Sequence, residues 1–271
     1  VNSPYFGLEV NGTSILSPTG PIVLDGGQRG TRFSGWYAAL GYNTFGSCTT
    51  SGMQDNFNCA TSSVTTSSAD ITVRGNQISF YGDSRYLVHR TNGNVVYEPS
   101  SGNNFASNID FYANFSTLVP ETIRLGIDNA AATYDTFIRN LMTANKSIEV
   151  YGRDVNLNAD IRSLNLSGDT NASGIRVKAG KSIFTTASRF DANNRSIVLW
   201  SNASDTEGVI RLADGANICS ATSFSAVANG TATFQSCRTT GGSDIYLGGG
   251  SGGYVLNLLF HLLIYRHTQF F

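Results

Sequence analysis

Between residues 146 and 247 apolar and polar positions alternate in short runs, each closed by Gly, Asn, Asp or Ser. The runs include IEV at 148–150, VNL at 155–157, IRSLNL at 161–166, IRV at 175–177, IVLW at 197–200, VIRL at 209–212 and IYL at 245–247. A period of two sends alternate side chains to opposite faces of a strand, so each run reads as a strand with one face buried. The breakers are too frequent for long strands.

Two signals suggest that these strands repeat. Val155, Ile175, Ile197 and Ile218 lie 20, 22 and 21 residues apart, a spacing that suits one turn of a β-solenoid. On this reading Val155, Ile175 and Ile197 point inward and stack. The second signal is a shared template. Ile71, Val73, Gly75, Ile78 and Phe80 have the same offsets as Ile148, Val150, Gly152, Val155 and Leu157. Each set reads as strand, Gly corner, strand, which is how a chain turns from one sheet face to the next. The expected fold is all-β, a parallel β-helix. An antiparallel β-sandwich is the alternative, because Asn-Gly at 11–12, 92–93 and 229–230 and Asp-Gly at 25–26 and 214–215 suit hairpin turns.

The rest of the chain is less regular. Residues 1–68 read as irregular coils, rich in Gly and aromatics over 21–46 and in Ser and Thr over 47–69. Residues 69–253 carry the repeats. Within them Tyr134, Phe137, Ile138, Leu141 and Met142 share helical spacing, so 121–143 holds either a helical insertion or two irregular coils. Residues 254–271 form an apolar tail, VLNLLFHLLIYRHTQFF from 255 on, which is short for a membrane span and reads as foreign to the fold. No stable membrane insertion is expected. The first residue is Val, so the chain reads as processed, trimmed or a fragment.

Composition narrows the function classes. Charged residues are 14%, against roughly 25% in soluble domains, and the net charge is -1. Such a surface offers little to neutralise phosphates, which argues against nucleic acid as a partner. Asn, Gly and Ser suit tight corners, and Thr, Val and Ile suit strands. The four cysteines form two local pairs, Cys48 with Cys59 and Cys219 with Cys237. Each pair could close a loop in an exported protein, and four free thiols are the alternative. No CxxC occurs, and His89, His261 and His267 do not group with the cysteines, so no metal or other cofactor is expected.

The text at 174–250 carries an alternating strand with an Ala-Gly corner, an RSIVLWSNA strand and a GGSDIYLGGG close. In this style it resembles the filamentous-haemagglutinin-like large exoproteins of Gram-negative bacteria, best over 145–253 and more weakly over 69–110. The resemblance implies a right-handed β-helix, an internal segment of an adhesin made by two-partner secretion, and a place outside the cell or on its surface. It implies host or neighbouring cell surfaces as partners, glycans among them, and an outer-membrane transporter during export. The family's secretion domain is not recognisable in this stretch.

Enzymatic chemistry finds little footing. Gly249–Gly253 fits the G-x-S-x-G expression of a nucleophile elbow, with His261 downstream, but no βαβ pattern precedes it. Residues 241–249 resemble a calcium nonapeptide only loosely, without the tandem copies that site needs. The polysaccharide-cleaving β-helix enzymes need clustered carboxylates. Asp154, Asp160, Asp169, Asp191, Asp205, Glu207 and Asp214 are scattered, with Asp205 and Glu207 the nearest pair. No catalytic, cofactor-binding or metal-binding residue is assigned. The N-x-S/T sequons at Asn11, Asn114, Asn145, Asn165, Asn171, Asn194, Asn202 and Asn229 follow from the abundance of Asn, Ser and Thr. Asn156, Asn158, Asn193 and Asn194 are candidates for a stacked Asn ladder. Trp36, Tyr37, Tyr42 and Trp200 are candidate exposed contacts. The expected function is a non-enzymatic, structural or adhesive stalk; a polysaccharide-active enzyme and a carbohydrate-binding module are the alternatives.

Overall fold

The computed structural model describes most of residues 6–41, 69–164 and 173–201, with further strands at 210–211, 217–228, 232–233, 238–240, 244–249, 255–256 and 269–270. Among the described residues the chain is all β, with one 3-10 turn at Gly27–Arg29 and no α-helix. The strands pair in parallel and the sheet curls round a shared interior.

One ladder shows how the sequence builds this. Ile22, Ile71, Val95, Ile123, Ile148, Ile175 and Ile197 are register partners on seven successive strands. The backbone register continues through Phe224 and Ile245. Those seven side chains are at most 7% exposed. Two residues on, Leu24, Val73, Tyr97, Leu125, Val150, Val177 and Leu199 form a second buried column. Full burial of such a side chain stabilises by about 1.5–3 kcal/mol, so a register slip of one residue, which would turn both columns outward, is strongly disfavoured.

From Ile71 onward successive partners lie 21 to 28 residues apart. Parallel pairing needs a crossover of a dozen or more residues, which these intervals supply. They are longer and less even than the anchor spacing suggested. Val155, Ile175 and Ile197 are all fully buried, as expected, and Ile175 does stack on Ile197. Val155 does not join them. It pairs with Ile183 and then Ile210 in a second ladder, while Ile175 pairs back to Ile148. The Ile218 backbone pairs with Phe190 in a third. The spacing near 20 had mixed positions from three ladders.

The Gly corners are present. Ile71–Arg74 and Ile78–Phe80 are separate strands joined through Gly75. Ser147–Leu157 is one strand of 11 residues with a register shift between Gly152 and Asp154, so its two halves serve two ladders. Gly30 shows why glycine is needed at such corners. Its φ is +86°, and a Cβ there would lie 2.4 Å from the Gln77 carbonyl oxygen.

The antiparallel sandwich is set aside, because the pairings among the described residues are parallel. Asn92-Gly93 does make a tight bend between Leu87–Arg90 and Val95–Glu98. Those strands do not pair with each other. One joins Ala38–Gly41 and the other joins Ile71–Arg74, so the bend is a corner and not a hairpin.

The helical insertion at 121–143 is also overturned. Thr122–Leu125, Thr136–Ile138 and Met142–Ala144 are strands in the parallel ladders. Tyr134, Ile138 and Met142 are buried, Phe137 is half-buried and Leu141 is 45% exposed. A corner at 139–141 separates two alternating runs, and that offset imitates helical spacing. The described part of residues 1–68 is more regular than expected, since Ile22–Asp25 pairs in register with Ile71–Arg74.

Side chains stitch stacked corners together. Ser100 Oγ donates to Asp25 Oδ1 at 2.5 Å, Asn94 N–H to Asp70 Oδ1 at 2.8 Å and Asn129 Nδ2 to Asn104 Oδ1 at 3.4 Å. The expected Asn ladder lay elsewhere. Asn158 accepts from Thr186 Oγ1 at 3.5 Å, Asn193 Nδ2 donates to the Leu164 carbonyl, and Asn156 stands between Phe137 and Phe184 in register. The Asn194 side chain, Cys48, Cys59, Cys237 and most of the tail lie outside the described residues, and Cys219 is described in backbone alone.

Candidate functional site

Three clusters of polar or aromatic side chains stand out. The first is inside. His89 and Tyr97 are fully buried and share a hydrogen bond of 2.7 Å between His89 Nε2 and the Tyr97 hydroxyl. Phe33, Phe80 and Phe111 pack around them, with Tyr97 and Phe111 edge to face at 5.0 Å. Burial pushes the His89 pKa down to about 3 and the Tyr97 hydroxyl well up. The pair is neutral and sealed from solvent, so it shapes the core and meets no substrate.

The second cluster lies at the corner between Thr136–Ile138 and the bulge of Ser147–Leu157. Asp135 accepts Arg153 Nε at 2.9 Å on Oδ1 and Arg153 Nη2 at 2.9 Å on Oδ2. It also accepts the Asp154 N–H at 3.2 Å and Asn108 Nδ2 at 3.3 Å. Asp154 sits beside it, and burial together with the Asp135 charge raises its carboxyl. Two adjacent carboxyls, one raised, are what acid-base cleavage of a glycan uses. Here four donors occupy Asp135, and the Arg153 guanidinium also reaches Asp154 at 3.5 Å. A carboxylate so saturated is a poor base. The arrangement fixes the corner.

The third cluster is on the outer face of the long ladder. Tyr151, Lys178 and Trp200 are register partners on three adjacent strands. In the column beside them run Arg124, Glu149, Arg176 and Val198. Trp200 is 42% exposed, one of three large apolar side chains so open among the described residues. Lys178 Nζ lies 5.3 Å from the centre of the Trp200 ring and 2.5 Å from Asp128 Oδ2. The Tyr151 hydroxyl donates to Glu149 Oε2 at 3.1 Å, and burial and that carboxylate push its pKa up.

Of the aromatics read as contacts from the sequence, Trp200 is confirmed as exposed, and Trp36, Tyr37 and Tyr42 lie outside the described residues. So do Asp169, Asp205, Glu207, Asp214, His261, His267 and residues 250–253 of the G-x-S-x-G stretch. Asp160 pairs with Arg162 at 3.3 Å, and Asp191 accepts the Asn193 N–H at 3.2 Å. Asp154 is brought to Asp135, a residue the sequence reading passed over. Lys178 and Arg176 were also missed. Their signal was present, because Lys178 and Trp200 have the same separation as Ile175 and Ile197. Among the described residues no group of three or more His, Cys, Asp or Glu side chains could hold a metal ion.

Compared with known proteins, the chain matches no family model, no curated protein and no solved structure.

Proposed function

We propose that the chain is a right-handed parallel β-helix segment of a secreted surface protein, a rigid stalk with weak, multivalent contacts to cells or glycans. One observation carries the reading: seven strands hold an unbroken inward column from Ile22 to Ile197 in parallel register. Strands stacked in this way lie about 4.8 Å apart, so each added coil lengthens a stiff rod. Right-handed crossovers are the rule for parallel strands. A stalk spreads its contacts along its length, so affinity comes from copy number and not from one deep cleft. The saturated Asp135 and the sealed His89 fit a molecule whose polar groups serve structure. The likeness to filamentous-haemagglutinin-like exoproteins rests on the residues at 174–250 and supports export through an outer-membrane transporter.

The test has two arms. Small-angle scattering of the chain is expected to give an elongated particle, and beads coated densely with it are expected to hold to cells that single copies do not. A compact particle overturns the stalk. Release of reducing ends from polysaccharides, abolished by Asp154→Asn, overturns the non-enzymatic reading.

A further inference from the structure

We propose that the outer ledge built by Trp200, Arg176 and Lys178 is a binding subsite for a carboxylated glycan; the proposal rests on the adhesive reading above and names its ligand. The geometry suits a sugar chain. Trp200, Lys178 and Tyr151 stand on successive strands about 4.8 Å apart, comparable with one pyranose unit of an extended glycan. An exposed indole offers a flat apolar face to the C–H side of a sugar ring, with an N–H at its edge. Tyr151 lies buried outside the core cluster and backs the ledge.

Charge selects the class of sugar. Around the ledge Arg124, Arg176 and Lys178 face Glu98, Glu149 and Asp128, three cations against three carboxylates. Glu98 is held by Arg74 at 2.7 Å and by Arg124 at 2.5 Å, and Lys178 is held by Asp128. Among the described residues no carboxylate lies within ion-pairing distance of Arg176, and its register neighbour Glu149 takes the Tyr151 hydroxyl, so the Arg176 guanidinium is the cation placed to meet a ligand. Arg176 is the diagonal neighbour of Trp200 across adjacent strands, within reach of a long side chain. A sugar ring on Trp200 would therefore present a ring carboxylate to a planar guanidinium that can take it with two hydrogen bonds.

The experiment uses tryptophan emission. The chain has two tryptophans, so Trp36→Phe leaves Trp200 as the reporter. Titration with oligogalacturonate is expected to shift the emission saturably, at least tenfold more weakly in Arg176→Gln, and a neutral cello-oligosaccharide of equal length is expected to give little response. Wild-type and Trp200→Ala chains on an oligogalacturonate surface give the same comparison without the Trp36 change. No response, an equal response to the neutral oligomer, or an unchanged affinity in Arg176→Gln overturns the subsite. If the chain holds to cells and shows none of these responses, the subsite fails and the adhesive reading stands. If it neither holds to cells nor forms a rod, the adhesive reading itself fails.

Discussion

Single residues in this protein are decided by how little room the stacked corners leave. Gly126 has φ +84°, and a Cβ there would meet the Tyr134 hydroxyl at 2.4 Å. Burial pushes that hydroxyl's pKa up to about 12, and it lies 3.4 Å from the Ile127 N–H. Gly126→Ala is therefore expected to lower stability by at least about 1–3 kcal/mol, read from the midpoint of urea unfolding. His89 makes a second prediction. Its folded pKa of about 3 is below the ordinary 6.5, so the unfolded chain binds the proton first as pH falls. The contribution of neutral His89 is fully present above about pH 6.5 and is lost progressively down to about pH 3. The slope approaches about 1.4 kcal/mol for each pH unit. His89→Phe should flatten unfolding free energy against pH in that window; an unchanged slope would show that His89 is not the group responsible. Of these two residues, the sequence marked His89 as apart from the cysteines and gave no sign of its burial, because its partners Tyr97 and Phe111 come from other strands.

At the scale of the strand, the alternation of apolar and polar residues was legible and the pairing only in part: Ile175 stacks on Ile197 as expected, and Val155 belongs to another ladder. Inward Ile148 and outward Glu149 could be told apart from period two alone, and both faces are as expected. Ile148→Ala should cost about 2–5 kcal/mol because a cavity is left under both neighbouring strands. Val23→Ala, at a position 54% exposed on the same ladder, should stay within about 0.5 kcal/mol. Equal losses at the two positions would sink the assigned register. The false helix at 134–142 has the same root. Two strands and a corner can place apolar residues three and four apart, and only pairing partners such as Val155 for Thr136 separate the cases.

Over the whole molecule, stability comes from each strand stacking on the next. Interior rungs such as 122–125 and 147–150 are covered on both sides. Hydrogen exchange should therefore be slowest for the amides of Ile123, Ile148 and Ile175, and faster for Leu8–Asn11, which pairs with Thr31–Ser34. Uniform protection along the chain would argue against nearest-neighbour stacking. The outer face follows the same repeat, since one register that stacks Ile175 on Ile197 also sets Lys178 beside Trp200.

The sequence by itself determined the alternating strands over 146–201, their inward faces and the glycine corners, because those depend on side-chain period and local backbone freedom. Only the tertiary structure decided which strand lies beside which, that the pairings are parallel, and that Asp135 meets Arg153 or Lys178 meets the Trp200 ring. Those outcomes depend on crossover lengths that vary from 21 to 28 residues, and no local period along the chain records them.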